Sequence, residues 1–354
     1  MNPPEPQQGL RTPGPGASVA PGRPASAPQR SNALSAGRGT RTVPGAALAI
    51  AARQYGVLSW AQAGSTGVTK SDVRRLVRNG EWGRPHTGVY SVRTLTASPD
   101  TKTHLRTAAM AAQLALGPNS FAGGETAARL WEMQGLPLWD GRTVHMVIPA
   151  LGAQRHHHRI TLHSWPTSPE EVTTLHGIRL TNPGRTLRDT LLRVDRETAV
   201  CLMDSVLHQG LVLDDEIEEL ELANRGRRGC VNVRRWWRLA DGRAESPLET
   251  RVRLICVDGG IPPTDLQHRF LDGHGRAIGV ADFWWEEQQL IGEADGLGPH
   301  SLPQALLRDR ERQNALQRWH PGVRIVRFTW QDLEHTENVL KGQGATLEVV
   351  SINR

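Results

Sequence analysis

From residue 43 onward, apolar positions recur with a period that switches between helix and strand. Residues 1–42 show neither period: they hold eight prolines and almost no large apolar side chain. Such a stretch cannot bury enough surface to offset its ordering entropy, and it is expected to be a disordered tail. The first periodic block predicts a helix over 44–55 ending at Gly56, a short helix from Trp60, and a helix over 70–79. Thr69 and Asp72 form a T-x-x-D capping box for that third helix, and Gly80 stops it. Its Val73, Leu76 and Val77 share one stripe, which leaves Lys70, Arg74, Arg75 and Arg78 outside. A hairpin-like stretch over 81–92 follows, carrying Trp82, Arg84, His86 and Tyr90.

The middle of the chain predicts helices over 101–116 and 125–133 and strands near 143–149 and 159–165. Asn182-Pro183 is a cap and first-turn pair for a helix over 183–193, and two or three more helices run to 240. The last block reads as a helix from Ser246-Pro247 to 258, a strand over 265–271, and two strands over 278–285 and 290–295. A helix over 302–319 capped by Ser301 and a strand over 323–329 complete it. The expected class is therefore α+β multidomain, with an N-terminal winged helix-turn-helix at 43–98 and a middle mixed α/β region at 99–240. An αβββαβ domain occupies 241–335, and a C-terminal tail 336–354.

Charge refines this picture only slightly. The formal net charge is +6, but Arg11, Arg23, Arg30, Arg38 and Arg41 against Glu5 place +4 of it in the first 42 residues. The basic balance is thus weak evidence for nucleic acid, whereas the position of arginines on the third helix is stronger, because that helix is the one a winged helix presents to the major groove. A solvated basic face is the alternative. Three cysteines far apart, without a CxxC pair, argue against a disulfide framework or structural zinc and fit a reducing cytoplasm. No apolar run reaches membrane-spanning length, so a cytoplasmic protein without a membrane partner is expected.

The candidate chemistry lies at 277–300. With a connection at 286–289 whose loop is residues 287–288, position i pairs with position 575 − i, and Asp282 faces Glu293. Asp295 projects from the same face as Glu293. Like charges directly opposed are destabilising, so three carboxylates among Val, Ile, Phe, Trp and Leu point to a bound cation, with Mg²⁺ or Mn²⁺ favoured by the all-oxygen donors. Acids on the wet face of a hairpin are the alternative. On the helix over 302–319, Leu302, Ala305, Leu316 and Trp319 define the expected inward face. Asp309 and Arg312 fall within it and Gln313 at its edge, and Gln313 is the expected site contact. Two other features read as surface: the run from Arg155 through His156–His158 to Arg159, as an exposed turn able to touch phosphate, with metal binding as the alternative, and the arginines at 225, 227, 228, 234, 235 and 238, as a solvated face or a backbone-contacting patch.

Two resemblances extend these readings. The run AARQYGVLSWAQAGSTGVTKSDVRRLVRNGEWGRPHTGVYSV is similar to the N-terminal winged helix of AbiEi-type antitoxins of abortive-infection systems, and GIRLTNPGRTLRDTLLRVDRETAVCLMDSVLHQGLV resembles the region that follows it there. This implies duplex DNA as partner, through Lys70, Arg74, Arg75, Arg78 and Arg84, and a cognate toxin as a second one. Residues 241–335 resemble the very-short-patch-repair-like endonucleases of the PD-(D/E)XK superfamily, through ESPLET, VADF, the E-x-D-G-x-x-x-H from Glu293 to His300, RDRERQNAL and VRFTW. The resemblance implies a Mg²⁺- or Mn²⁺-dependent endodeoxyribonuclease with a restriction-endonuclease-like fold. Asp282 and Glu293 would be metal ligands, Glu249 would complete the shell, and His300 would be a general acid or base. The lysine of the superfamily pattern is Asp295 here. That departure keeps a second reading open, a non-enzymatic repressor or antitoxin with an inactive nuclease-like scaffold.

Overall fold

The computed structural model describes residues 42–148, 158–295, 303–335 and 339–340, with side chains in the helix that begins at Pro303 described from residue 310 onward. It is a mixed α/β protein with twelve α-helices and three sheets among the described residues.

The N-terminal block runs α1 (Gly45–Arg53), β1 (Val57–Ser59), α2 (Trp60–Ser65), α3 (Lys70–Arg78), β2 (Trp82–His86) and β3 (Val89–Val92). The capping box expected for α3 is formed: the Asp72 N–H donates to Thr69 Oγ1 at 3.2 Å and the Thr69 N–H donates to Asp72 Oδ2 at 3.0 Å. Strand β1 was not legible in the sequence; it pairs antiparallel with β3, so the sheet order is β1-β3-β2. Trp82, Leu76, Val73 and Leu58 fill the core beneath.

After α4 (Arg93–Thr96), helix α5 (Thr101–Leu116) crosses a five-stranded sheet of order β6-β5-β4-β8-β7. Its strands are β4 (Phe121–Ala122), β5 (Val144–Val147), β6 (Ile160–His163), β7 (Val172–Leu175) and β8 (Ile178–Thr181), with α6 (Gly124–Leu130) between β4 and β5. Val57 and Val89 of the N-terminal block belong to the same apolar core as α5 and this sheet. The Tyr55 hydroxyl also donates to the His176 carbonyl at 2.8 Å. Helices α7 (Pro183–Leu191), α8 (Arg196–His208), α9 (Glu216–Ala223) and α10 (Cys230–Val233) follow.

The last block is α11 (Pro247–Asp258), β9 (Asp265–Leu271), β10 (Ala277–Trp285), β11 (Leu290–Ala294), α12 (Pro303–Trp319) and β12 (Arg324–Phe328), the αβββαβ order read from the sequence. The sheet order is β12-β11-β10-β9, with β11 and β12 parallel and the other pairs antiparallel. Leu248, Val252 and Cys256 of α11 pack with Phe283, Trp285 and Phe328, while Leu316 of α12 packs with Trp284, Ile291 and Phe270 in a second core. Leu254 of α11 instead joins the core formed by α7, α8 and Trp237. Trp319 corrects one expectation: it is 40% exposed rather than on the inward face of α12. The α-helical period carries positions 316 and 319 to one side, but the helix ends there and the ring lies over the Gly273 turn. Among the described residues, no helix is long and apolar enough to cross a membrane.

Candidate metal and nucleic-acid sites

The β10–β11 register is the one expected: Phe283 faces Gly292, Trp284 faces Ile291 and Trp285 faces Leu290. One further step puts Asp282 opposite Glu293. The carboxylates nevertheless separate into two groups. Asp282 turns toward α11: its Oδ2 accepts from the Ala294 N–H at 2.7 Å, and its Oδ1 accepts from Gln267 Nε2 at 3.3 Å. The same Gln267 amide donates to Glu249 Oε2 at 2.9 Å. Ser246, the N-cap of α11, donates from Oγ to Glu249 Oε1 at 2.7 Å, and the Glu245 N–H donates to Oε2 at 2.9 Å. Local capping chemistry thus holds Glu249 at the helix start, where the strand edge meets it.

Glu293 and Asp295 form the second group. Glu293 is ion-paired to Arg312 of α12, and Arg327 Nε of β12 lies 3.3 Å from its Oε2. Arg327 Nη1 also reaches Asp295 Oδ2 at 3.8 Å. Arg312 is anchored by donating to the Val280 carbonyl at 3.0 Å. The inward charge on α12 therefore reaches the cluster. Gln313 is half-buried on the same helix. His300, Gly296 and Leu302 lie outside the described residues, as do Arg155–His157, and the Asp309 side chain is not described.

The electrostatics of the two groups differ. Burial pushes the Asp282 carboxyl above its ordinary range, and the charges of Glu293 and Glu245 add to this against the Ala294 and Gln267 hydrogen bonds. Burial likewise raises Glu249, with Asp282 contributing, against the pull of Glu245 N–H, Ser246 and Gln267. Neither has an ion-paired cation among the described residues, whereas Glu293 has two. Gln267, the bridge between them, holds a left-handed φ of 53° inside β9. A non-glycine residue there costs on the order of 1–3 kcal/mol and is sustained only by its surroundings. Nothing in the sequence signalled Gln267.

Hard divalent ions such as Mg²⁺ are commonly held by one or two carboxylates, with water and substrate phosphate completing the shell. The Asp282–Glu249 pair fits that pattern: a half-buried and a buried carboxylate, both raised by burial, with the Asp282 charge also raising Glu249, oxygen donors only, and no neutralising partner among the described residues. Glu293, the other expected ligand, is engaged by arginines instead. Among the described residues no group of three or more His, Cys, Asp or Glu is arranged to hold a metal.

The second candidate site is a recess of ≈ 560 Å³ between α3 and the β2–β3 hairpin. Lys70, Arg74 and Arg78 of α3 and Arg84 of β2 line it together with Trp60 and Tyr90. Four of the five expected nucleic-acid residues thus share one face. Arg75 lies apart, 3.9 Å from Glu81 and with only 27% of its side chain exposed. The α-helical rotation explains the split, since 70, 74 and 78 stack at i, i+4 and i+8.

No known protein family matches the chain. It is similar to the uncharacterized protein MT2308 of Mycobacterium tuberculosis (strain CDC 1551 / Oshkosh), 29% identical over 250 residues that cover 71% of this chain and 87% of that protein. The same values hold for the uncharacterized protein Rv2248 of M. tuberculosis (strain ATCC 25618 / H37Rv). Neither name states an activity, substrate or partner.

Proposed function

We propose that this chain is a duplex-DNA-binding protein whose C-terminal αβββαβ unit is a divalent-metal-dependent endonuclease, acting in phage defence or on a mobile element. The observation that carries the reading is the Asp282–Gln267–Glu249 arrangement: a half-buried and a buried carboxylate, with no ion-paired cation among the described residues, joined through one amide between the middle of β10 and the start of α11. The αβββαβ order and the resemblance of 241–335 to very-short-patch-repair-like endonucleases support it. The basic face of α3, in a block with the element order of a winged helix, supports the DNA-binding half.

In this reading Asp282 and Glu249 hold Mg²⁺ or Mn²⁺, which when bound polarises a phosphoryl oxygen and lowers the pKa of water. Gln267 fixes the spacing of the two carboxylates, and the Ala294 N–H orients Asp282. Arg312 and Arg327 hold Glu293 away from the pair and place guanidinium charge beside it, where a DNA phosphate would be attracted. Lys70, Arg74, Arg78 and Arg84 supply the backbone contacts that position the duplex.

That same Glu293 pairing favours a second reading. A ligand neutralised by two arginines, with Asp295 in place of the usual lysine, suits an inactive nuclease-like scaffold in a repressor or antitoxin with a cognate toxin. Incubation of the full chain with supercoiled plasmid and Mn²⁺ separates the two. Nicking or linearisation that is absent in Asp282→Asn and in chelator supports the endonuclease. No cleavage, together with sequence-specific retention of duplex fragments, leaves the repressor.

A further inference from the structure

The middle region contains a cleft of ≈ 720 Å³ that neither proposed site uses. It lies where the segment after β6 meets the end of α7 and the loop before α10. One wall is apolar, made by Trp165, Pro166 and Leu192; the other carries Arg193, Arg227 and Arg228. Gly229 makes this juxtaposition possible: it has a φ of 93°, and a side chain there would come within 3.1 Å of the Leu192 carbonyl oxygen.

The cleft is built rather than incidental. Asp189, 1% exposed, accepts from Arg185 Nε at 2.6 Å with one oxygen and from Arg227 Nη2 with the other. Arg227 Nη1 in turn donates to the Oδ1 of buried Asn224 at 2.7 Å. Arg227 is therefore held in a fixed orientation at the cleft floor. Behind it, Glu171 accepts from Arg185 and Arg188. Two carboxylates thus face five guanidiniums once Arg193 and Arg228 are included, and these last two are exposed, with no ion pair among the described residues. The local potential is positive. It helps hold the neighbouring His163 down to about 3, after burial as the main cause.

The aromatic wall is equally fixed. Trp165 stacks on His163 with centroids 4.1 Å apart and planes 18° from parallel. Its ring edge packs against the Gly123–Gly124 backbone, where a Cβ on either residue would come within 3.5 Å of it. His163 is itself held by His145, Nδ1 to Nε2 at 3.1 Å. Arg193 sits over the Trp165 ring at 5.7 Å from its centroid.

We propose that this cleft binds a nucleotide, its base against the Trp165–Pro166–Leu192 wall and its phosphates on Arg193, Arg227 and Arg228. A rigid apolar wall beside a preorganised guanidinium suits a ligand with a planar ring and a multiply charged phosphate. The volume falls within the roughly 300–1,000 Å³ of small-molecule sites.

Isothermal titration of the full chain with ADP, adenosine and inorganic pyrophosphate tests this. ADP is expected to bind one per chain and more tightly than either fragment. The double variant Arg193→Gln/Arg228→Gln removes two exposed charges that have no ion pair among the described residues, together with the Arg193–Trp165 contact, and is expected to keep a melting temperature near the wild type's and to weaken ADP by about tenfold or more. Trp165→Leu is expected to weaken ADP but not pyrophosphate. No heat with millimolar ADP overturns the proposal, as does unchanged ADP affinity in the double variant. Pyrophosphate binding as tightly as ADP in the wild type overturns the nucleotide assignment. Loss of duplex-DNA binding in the double variant, with ADP binding intact, does so too, because it would make the cleft a DNA contact.

Discussion

Replacing Asp204 with Ala tests how the helix that carries Glu249 is held. Asp204 of α8 is 1% exposed and accepts three hydrogen bonds: from Arg253 Nη2 at 2.6 Å, Thr250 Oγ1 at 2.8 Å and the Asp241 N–H at 2.7 Å. Thr250 and Arg253 both lie on α11, one and four residues beyond Glu249, so this network locks α11 to α8. Arg253 is 7% exposed, and its Nε has no hydrogen-bond partner among the described residues. Deleting the carboxylate leaves a guanidinium in a site nearly closed to water, a change that costs about 3–5 kcal/mol. The Asp241 amide, left without its acceptor, adds roughly 1 kcal/mol where water cannot reach it, while the Thr250 hydroxyl keeps a long contact to the Ser246 carbonyl at 3.4 Å. Substituting both partners, Asp204→Leu with Arg253→Met, removes the buried charge altogether and should recover most of that loss. Urea denaturation followed by circular dichroism and by tryptophan fluorescence measures both. Because Leu254 shares its core with α7 and α8, the two probes should report coincident transitions. A loss below about 1 kcal/mol for Asp204→Ala would refute the lock, as would a double variant no better than the worse single one.

Other outcomes follow from the same geometry. Asp282 and Glu249 have carboxyls raised above their ordinary 3.8 and 4.5. Their contribution to stability is complete below those ordinary values and is lost as pH rises through the raised folded values. Thermal melts of the metal-free chain from about pH 4 to 8 should show that decline, flattened in Asp282→Asn. At neutral pH the same variant should melt no lower than the wild type without metal, yet lose any stabilisation by Mn²⁺; a wild type indifferent to Mn²⁺ defeats the site. Replacing Lys70, Arg74 and Arg78 with Ala should weaken duplex binding and reduce the salt slope by about 0.9 for each phosphate no longer neutralised. Arg75→Ala should change it little, given its position beside Glu81, and equal losses from the two variants would argue against the α3 recess as the contact face.

Residue order alone set what depends on near neighbours. Caps at Thr69, Asn182 and Ser246 are local hydrogen bonds between residues three apart, so they fixed the starts of α3, α7 and α11. The β10–β11 register follows from a short turn and an apolar pattern of period two, and it placed Asp282 opposite Glu293. Which charges meet across long separations was settled only by the folded arrangement. Strands β1, β4, β7 and β8 are two to four residues long. So short a run carries too little periodicity to be seen until distant partners pair with it. The three-carboxylate reading rested on one hairpin, but Arg327 arrives from β12 and Arg312 from α12, and they divide that cluster. Gln267 joins Asp282 to Glu249 through a left-handed backbone conformation inside a strand, and no residue pattern encodes that, because the surrounding packing is what sustains the strain.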